Sequence, residues 1–203
     1  MGGTFDTLME CATAQWHPKI GDPSFVGWFI TGGYAVLVLV IVLLLVKLKS
    51  PAVGAPRALF RFWILALVFY ALLGLNKQMD LQTYITATGR CMSRAEGWYK
   101  QRREFQMLLA FAALAGGSVL MLVVLYGFRS VLRRCFLAIL GAGLSSVYVA
   151  LRLISMHHVD TILRMHVFAV KVHALLEIAG IVLVLLNAFL LLLMSNREPH
   201  RAF

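Results

Sequence analysis

The chain has 203 residues, of which 61% are hydrophobic and only 14% are charged, and its formal net charge at pH 7 is +10. A soluble globular domain is typically about 45–50% apolar and about 25% charged, so the composition excludes an ordinary soluble fold. In a soluble protein the positive charge would suggest a nucleic-acid partner. Here it indicates loops that face anionic lipid headgroups. We therefore expect the lipid bilayer as a partner, and no nucleic acid.

Runs of roughly 20 apolar residues, long enough to cross about 30 Å of hydrocarbon, recur along the chain. They predict an all-α fold, a polytopic membrane protein in which five transmembrane helices form a bundle. No polar stretch is long enough for a second folded domain, so residues 1–203 are expected to form a single membrane domain. The predicted spans are residues 25–46, 59–75, 107–128, 135–156 and 174–194.

Three connections give local predictions. Pro51, Gly54 and Pro56 break helices and indicate a loop after the first span. Residues 161–173 have the polar spacing of an amphipathic helix. In the last span, Asn187 is expected to bond a neighbouring helix.

Charge predicts the orientation of the bundle. The predicted spans place two acid-poor basic turns on one side, around Lys47–Arg61 and Arg129–Arg134. Basic residues in short loops favour the cytoplasm, so we expect the N-terminus to be extracytoplasmic. Cys11 and Cys91 fall together on that outer side. A disulfide between them and three unpaired thiols are both open interpretations, because a disulfide requires an oxidising compartment.

The outer side also carries a candidate metal site. In the stretch His157-His158-Val-Asp160, a continued helix would place His157 and Asp160 on one face, three residues apart. Imidazole and carboxylate groups suit a divalent transition metal such as zinc, copper or iron. His173 and Glu177, spaced i and i+4, would add two ligands. The alternative is that these side chains hydrogen-bond one another and close the end of the bundle.

A second polar group follows the second span, in Asn76-Lys77-Gln78-Met79-Asp80-Leu81-Gln82. Asp80 joins His157, His158 and Asp160 as a candidate catalytic residue. The candidate substrate-binding residues are the cations on the same side, since guanidinium groups match phosphate geometry. They are Lys77, Arg102, Arg103 and Arg152. The alternative is that these cations extend to lipid headgroups.

The motif Gly21-Asp22-Pro23, the stretch Asn76–Gln82, Gly97-Trp98-Tyr99-x-x-Arg102-Arg103 and His157-His158-x-Asp160 together resemble a family of small bacterial five-span membrane proteins. The family has no assigned activity. The resemblance covers most of the chain and implies a five-helix fold in a bacterial inner (plasma) membrane.

Two functions follow as hypotheses. The first is a hydrolase or transferase that acts on a lipid-like anionic substrate at the extracytoplasmic face, with a metal to activate water. The second is a non-catalytic accessory or assembly subunit that binds other membrane subunits through its polar face. A transporter is less favoured, because the polar residues gather at one end and not at the midplane.

Overall fold

The computed structural model describes residues 11, 24–51, 53–79, 88–89, 91–92, 115–119, 121–154, 166–167 and 170–197. This part of the chain is predominantly helical. It contains four long helices, α1 (Phe25–Leu48), α2 (Arg57–Met79), α3 (Phe136–Ile154) and α4 (Val172–Arg197). Residues 115–119 and 121–127 are also helical, and a short antiparallel pair, β1 (His166–Val167) and β2 (Val170–Lys171), precedes α4.

Local signals in the sequence determine where α1 and α2 begin. The Ser24 hydroxyl accepts a hydrogen bond from the Gly27 N–H at 3.1 Å, an N-cap that starts α1. The loop between α1 and α2 contains Gly54 at φ +59°, a backbone conformation that is unfavourable for residues with a side chain. The Pro56 carbonyl then accepts from the Leu59 N–H at 2.9 Å. Helix α2 therefore begins at Arg57, earlier than the predicted span.

Helix α1 packs against α2 and α4, and α4 packs against α3. The α3–α4 contact is close because glycines meet there. A Cβ atom built on Gly141 would lie 2.6 Å from the Gly180 carbonyl oxygen, and a Cβ atom on Gly180 would collide with the Ser145 hydroxyl. Small residues of this kind allow two helix backbones to approach one another in a membrane protein.

The outer surface of the helices is apolar. Phe29, Leu39, Leu72 and Phe189 are each more than half exposed, whereas a soluble protein rarely exposes large continuous apolar patches. Three helical stretches, Phe25–Leu48, Arg57–Met79 and Ala174–Ser195, are long and apolar enough to cross a membrane. These features indicate a membrane-embedded protein.

The predicted first, second and fifth spans coincide with these three stretches. Helix α3 occupies the predicted fourth span, but its apolar part, Phe136–Ala150, is shorter than a full crossing. The prediction of an amphipathic helix over residues 161–173 is wrong for residues 166–167 and 170–171. There His166 pairs with Lys171 and Val167 with Val170 in the antiparallel β1–β2 pair. The two β-branched valines favour extended backbone, which explains the local preference.

Candidate functional site

The described contacts bring four helix ends together. Gln78, near the end of α2, donates to the Thr31 hydroxyl near the start of α1 at 2.8 Å. Ser145 at the middle of α3 meets Gly180 in the first half of α4, and Asn187 in the second half of α4 accepts from the Ala138 N–H near the start of α3. We call this the site end, where α1 and α4 begin (Phe25, Val172) and α2 and α3 end (Met79, Ile154). The opposite end is the basic end, where α1 and α4 end (Leu48, Arg197) and α2 and α3 begin (Arg57, Phe136).

A buried ion pair is the centre of the site end. The Lys77 ammonium lies 2.8 Å from Oε2 of Glu177, and the two side chains are only 6% and 2% exposed. Lys77 comes from the last turn of α2 and Glu177 from the first turns of α4, 100 residues apart in the chain. Burying either charge alone would be strongly unfavourable, so each group requires the other.

Tyr34 connects the ion pair to α1. Its hydroxyl donates to Oε1 of Glu177 at 3.0 Å, so each oxygen of the carboxylate accepts a hydrogen bond. The approach of α1 to α2 depends on Gly74, because a Cβ atom there would lie 3.2 Å from Cβ of Tyr34. Three helices therefore supply one charge-assisted network, the strongest class of hydrogen bonding in proteins.

A second buried polar contact lies deeper in the bundle. The hydroxyls of Tyr70 and Ser145 are 3.2 Å apart and join α2 to α3. The rings of Tyr34 and Tyr70 have centroids 6.3 Å apart, so the two polar contacts are neighbours. Polar side-chain atoms thus extend from the last turn of α2 into the interior of the bundle, whereas the outer faces of the helices are apolar.

The ion pair leaves some chemical capacity unused. An ammonium group has three N–H donors, and within the described part of the chain Glu177 is the acceptor that Lys77 contacts. An anionic or carbonyl oxygen could accept from another of these donors. Glu177 differs, because both of its oxygens already accept hydrogen bonds. A carboxylate held by an ammonium group is a poor additional ligand for a metal cation, since Lys77 would repel the ion.

The structure thus brings together Lys77 and Glu177, which the sequence placed in different candidate groups. Helices α3 and α4 include Arg152 and His173 in their backbones, but the side chains of both lie outside the described part. The other predicted site residues also lie outside it. They are Asp80, Arg102, Arg103, His157, His158 and Asp160. Among the described residues, no group of three or more His, Cys, Asp or Glu side chains is arranged to hold a metal.

Sequence reasoning missed Tyr34, Tyr70 and Ser145 as site residues. Each lies within an apolar run, where a single hydroxyl gives little signal. A usable signal existed in α2, because Tyr70 and Lys77 are two helical turns apart and share a face. In α1, Thr31 and Tyr34 are three residues apart and also share a face. A search for polar atoms along one helix face would have found both pairs.

The structure also tests the predictions for the cysteines and for Asn187. Cys11 and Cys91 form a disulfide with a Cα–Cα distance of 6.1 Å, and Cys135 is buried with a free thiol. Asn187 bonds a neighbouring helix, as predicted. Its side chain accepts from the Ala138 N–H at 2.9 Å and donates to the Arg134 carbonyl at 2.8 Å, which satisfies backbone groups where α3 begins.

No family model, no curated protein and no solved structure matches the chain.

Proposed function

We propose that this chain is a five-span protein of a bacterial inner membrane and that its site end acts on a lipid-like anionic substrate by hydrolysis or group transfer. The observation that carries the proposal is the buried Lys77–Glu177 pair, held by Tyr34. Ionisable side chains at membrane depth are costly and usually mark function. The two residues of the pair are 100 positions apart in the chain and come from different helices. This arrangement supports a functional site and argues against incidental polar residues at a helix end.

The course of the chain supports five spans. Helix α2 ends at the site end, whereas α3 begins at the basic end. The intervening chain therefore starts and finishes at opposite ends of the bundle. The helical residues 115–119 and 121–127 fall in the predicted third span, 107–128, which would provide the crossing. The resemblance to a bacterial five-span family agrees with this count.

Two observations support an extracytoplasmic site end. The Cys11–Cys91 disulfide joins the segment before α1 to the segment after α2, and disulfides persist in oxidising compartments. The opposite end carries Lys47, Lys49 and Arg57, in agreement with the positive-inside rule. A reporter enzyme that is active only outside the cytoplasm should be active when fused after Met79 and inactive when fused after Ser50. The reverse pattern would overturn this orientation.

In this proposal Lys77 binds the anionic group of the substrate, and Arg102, Arg103 and Arg152 assist it. Glu177 holds Lys77 in position. Helix α2 ends one residue before Asp80, and α3 ends three residues before His157. A zinc, copper or iron ion would supply a Lewis acid. We assign its ligands to His157, Asp160 and His173, with His158 and Asp80 as candidate acid–base groups.

Metal analysis and activity on one set of variants test the proposal. The purified full-length protein is expected to contain a stoichiometric transition metal that is lost in His157→Ala and Asp160→Ala. It is also expected to hydrolyse short-chain phospholipid analogues, and Lys77→Gln should lower that activity. Lys77→Gln could also lower activity by weakening the fold. Both this variant and Glu177→Gln are therefore checked for monodisperse elution from a sizing column. Protein that elutes normally yet lacks metal and activity would refute the enzyme.

A specific observation favours a second candidate, the accessory or assembly subunit. The ion pair is closed, with both side chains almost fully buried and both carboxylate oxygens occupied within the chain. Such a network is also suited to fixing one packing of the bundle, which a partner subunit then recognises. Stable co-purification with other membrane subunits, together with the absence of bound metal, would favour this candidate over the enzyme.

A further inference from the structure

The basic end contains an open cleft of about 350 Å³ where the α1–α2 loop meets the first turns of α2. Its lining combines three cationic side chains with three apolar ones and contains no acidic residue. The lining residues are Leu48, Lys49, Ala55, Arg57, Phe60 and Arg61. The cleft is therefore electropositive, and it lies at the opposite end of the bundle from the Lys77–Glu177 pair.

The cations of the cleft are arranged for one anion. Arg57 and Arg61 are four residues apart on α2, so their side chains share a face. Both arise in the first turns of the helix, where the macrodipole favours negative charge. Arg57, Arg61 and Lys49 are exposed, and within the described part of the chain none of them forms an ion pair with a carboxylate. Two guanidinium groups and an ammonium group suit a phosphate.

The face of α2 below the two arginines indicates where the phosphate comes from. Ile64 and Val68 continue the Arg57–Arg61 face at helical spacing, and they are 41% and 50% exposed. An apolar strip that begins directly beneath a cationic cleft matches the structure of a phospholipid. Its headgroup would occupy the cleft while an acyl chain lies along Ile64 and Val68. A free phosphate ion would use only the cleft.

We propose that this cleft is a binding site for the phosphate of an anionic membrane lipid. Arg57 and Arg61 contact the phosphate, Lys49 closes the site from the loop, and the apolar strip of α2 holds an acyl chain. The same arrangement of basic residues at the cytoplasmic ends of transmembrane helices is a general mode of lipid headgroup recognition. The proposal does not depend on the activity at the site end.

Native mass spectrometry of the detergent-purified full-length protein tests the site. The probes are phosphatidylglycerol, phosphatidylcholine and inorganic phosphate. Phosphatidylglycerol should bind in preference to phosphatidylcholine. Each basic residue at a membrane surface contributes roughly a fivefold factor to the binding of anionic lipid. The double variant Arg57→Gln/Arg61→Gln should therefore bind phosphatidylglycerol about 20- to 30-fold more weakly.

The matched control is Lys47→Gln/Arg133→Gln, which removes two exposed charges at the same end but outside the cleft. It should retain nearly full binding of phosphatidylglycerol. Replacing Ile64 by Ser should weaken lipid binding but leave any binding of inorganic phosphate unchanged. Equal losses in the two double variants would overturn the site, because they would show a diffuse charge effect. Inorganic phosphate that displaces phosphatidylglycerol at equal concentration would overturn the assignment to a lipid.

Discussion

The two ends of the bundle treat positive charge in opposite ways. At the site end, Lys77 is buried, and its ammonium contacts a carboxylate that Tyr34 also holds. At the basic end, Lys49, Arg57 and Arg61 are exposed, and the described residues give them no acidic partner. The same type of charge therefore joins helices at one end and is exposed at the other.

Burial explains the difference. A charge removed from water requires an opposite charge and hydrogen bonds in fixed positions, so Lys77 determines how α1, α2 and α4 pack. An exposed charge keeps its hydration and constrains the fold very little. The site end should consequently be sensitive to single substitutions, and the basic end should tolerate them.

Lys77→Met should be the most damaging of these changes. It leaves the Glu177 carboxylate buried without its cation, which costs about 3–5 kcal/mol of stability. Lys47→Met, at an exposed position of the basic end, should stay within about 0.5 kcal/mol of the unaltered protein. Unfolding of both variants in detergent measures the difference. Equal losses in the two variants would remove the contrast between the ends.

The double variant Lys77→Met/Glu177→Leu sharpens the same prediction. Replacing both members of a buried pair by apolar residues is often neutral, so stability should recover most of what Lys77→Met loses. If the double variant is instead as unstable as the sum of the two single variants, the two residues do not interact.

Tyr34→Phe removes one hydroxyl and leaves Oε1 of Glu177 without its donor. Hydrogen bonds to charged groups contribute about 1.5–3 kcal/mol, and the loss should fall in that range. Tyr126→Phe is the control, because Tyr126 is 72% exposed. A thermal unfolding midpoint that Tyr34→Phe leaves unchanged would contradict the network.

Gly141→Ala tests whether helix packing supports the site independently of charge. The added methyl group would meet the Gly180 carbonyl oxygen and Val184, and overpacking typically costs about 1–3 kcal/mol. Gly116→Ala adds the same group where the described residues place no atom within 4 Å. It should not destabilise the protein, and the helix preference for Ala should stabilise it slightly. The two free energies of unfolding are compared in one detergent.

Asn187→Ala should have the smallest effect. It removes the acceptor of the Ala138 N–H and the donor to the Arg134 carbonyl. Loss of a helix cap costs about 0.5–2 kcal/mol. Ser146→Ala is a suitable control, because the exposed Ser146 hydroxyl donates within its own helix, to the Ala142 carbonyl. Faster hydrogen exchange at Ala138 in Asn187→Ala would support the assignment, and unchanged exchange would oppose it.

Sequence reasoning identified Lys77 and Glu177 as candidate residues but did not pair them. Each was assigned by its own neighbours in the chain, Lys77 with the cations and Glu177 with His173. Their contact depends on α2 and α4 both packing against α1, and no local pattern contains that information. The roles of His157, His158, Asp160 and Asp80 stay predictions, since these residues lie outside the described part of the chain.

The amphipathic helix predicted over residues 161–173 is wrong at residues 166–167 and 170–171 for a different reason. Polar spacing over residues 161–173 fits a helix, but the β-branched Val167 and Val170 pair as strands. In a short segment the spacing of polar residues is a weak predictor of a helix, and the segment can form a strand pair instead.

By itself the sequence determined the membrane character, the apolar helices and the two acid-poor basic turns around Lys47–Arg61 and Arg129–Arg134. These features follow from transfer free energies and chain length, which are properties of short segments. Only the tertiary structure decided that Lys77 contacts Glu177, that the Tyr34 hydroxyl donates to the second carboxylate oxygen of Glu177, and that Asn187 caps α3. Those contacts join helices distant in the chain, and the buried charges are tolerated only where the packed helices supply a partner for each.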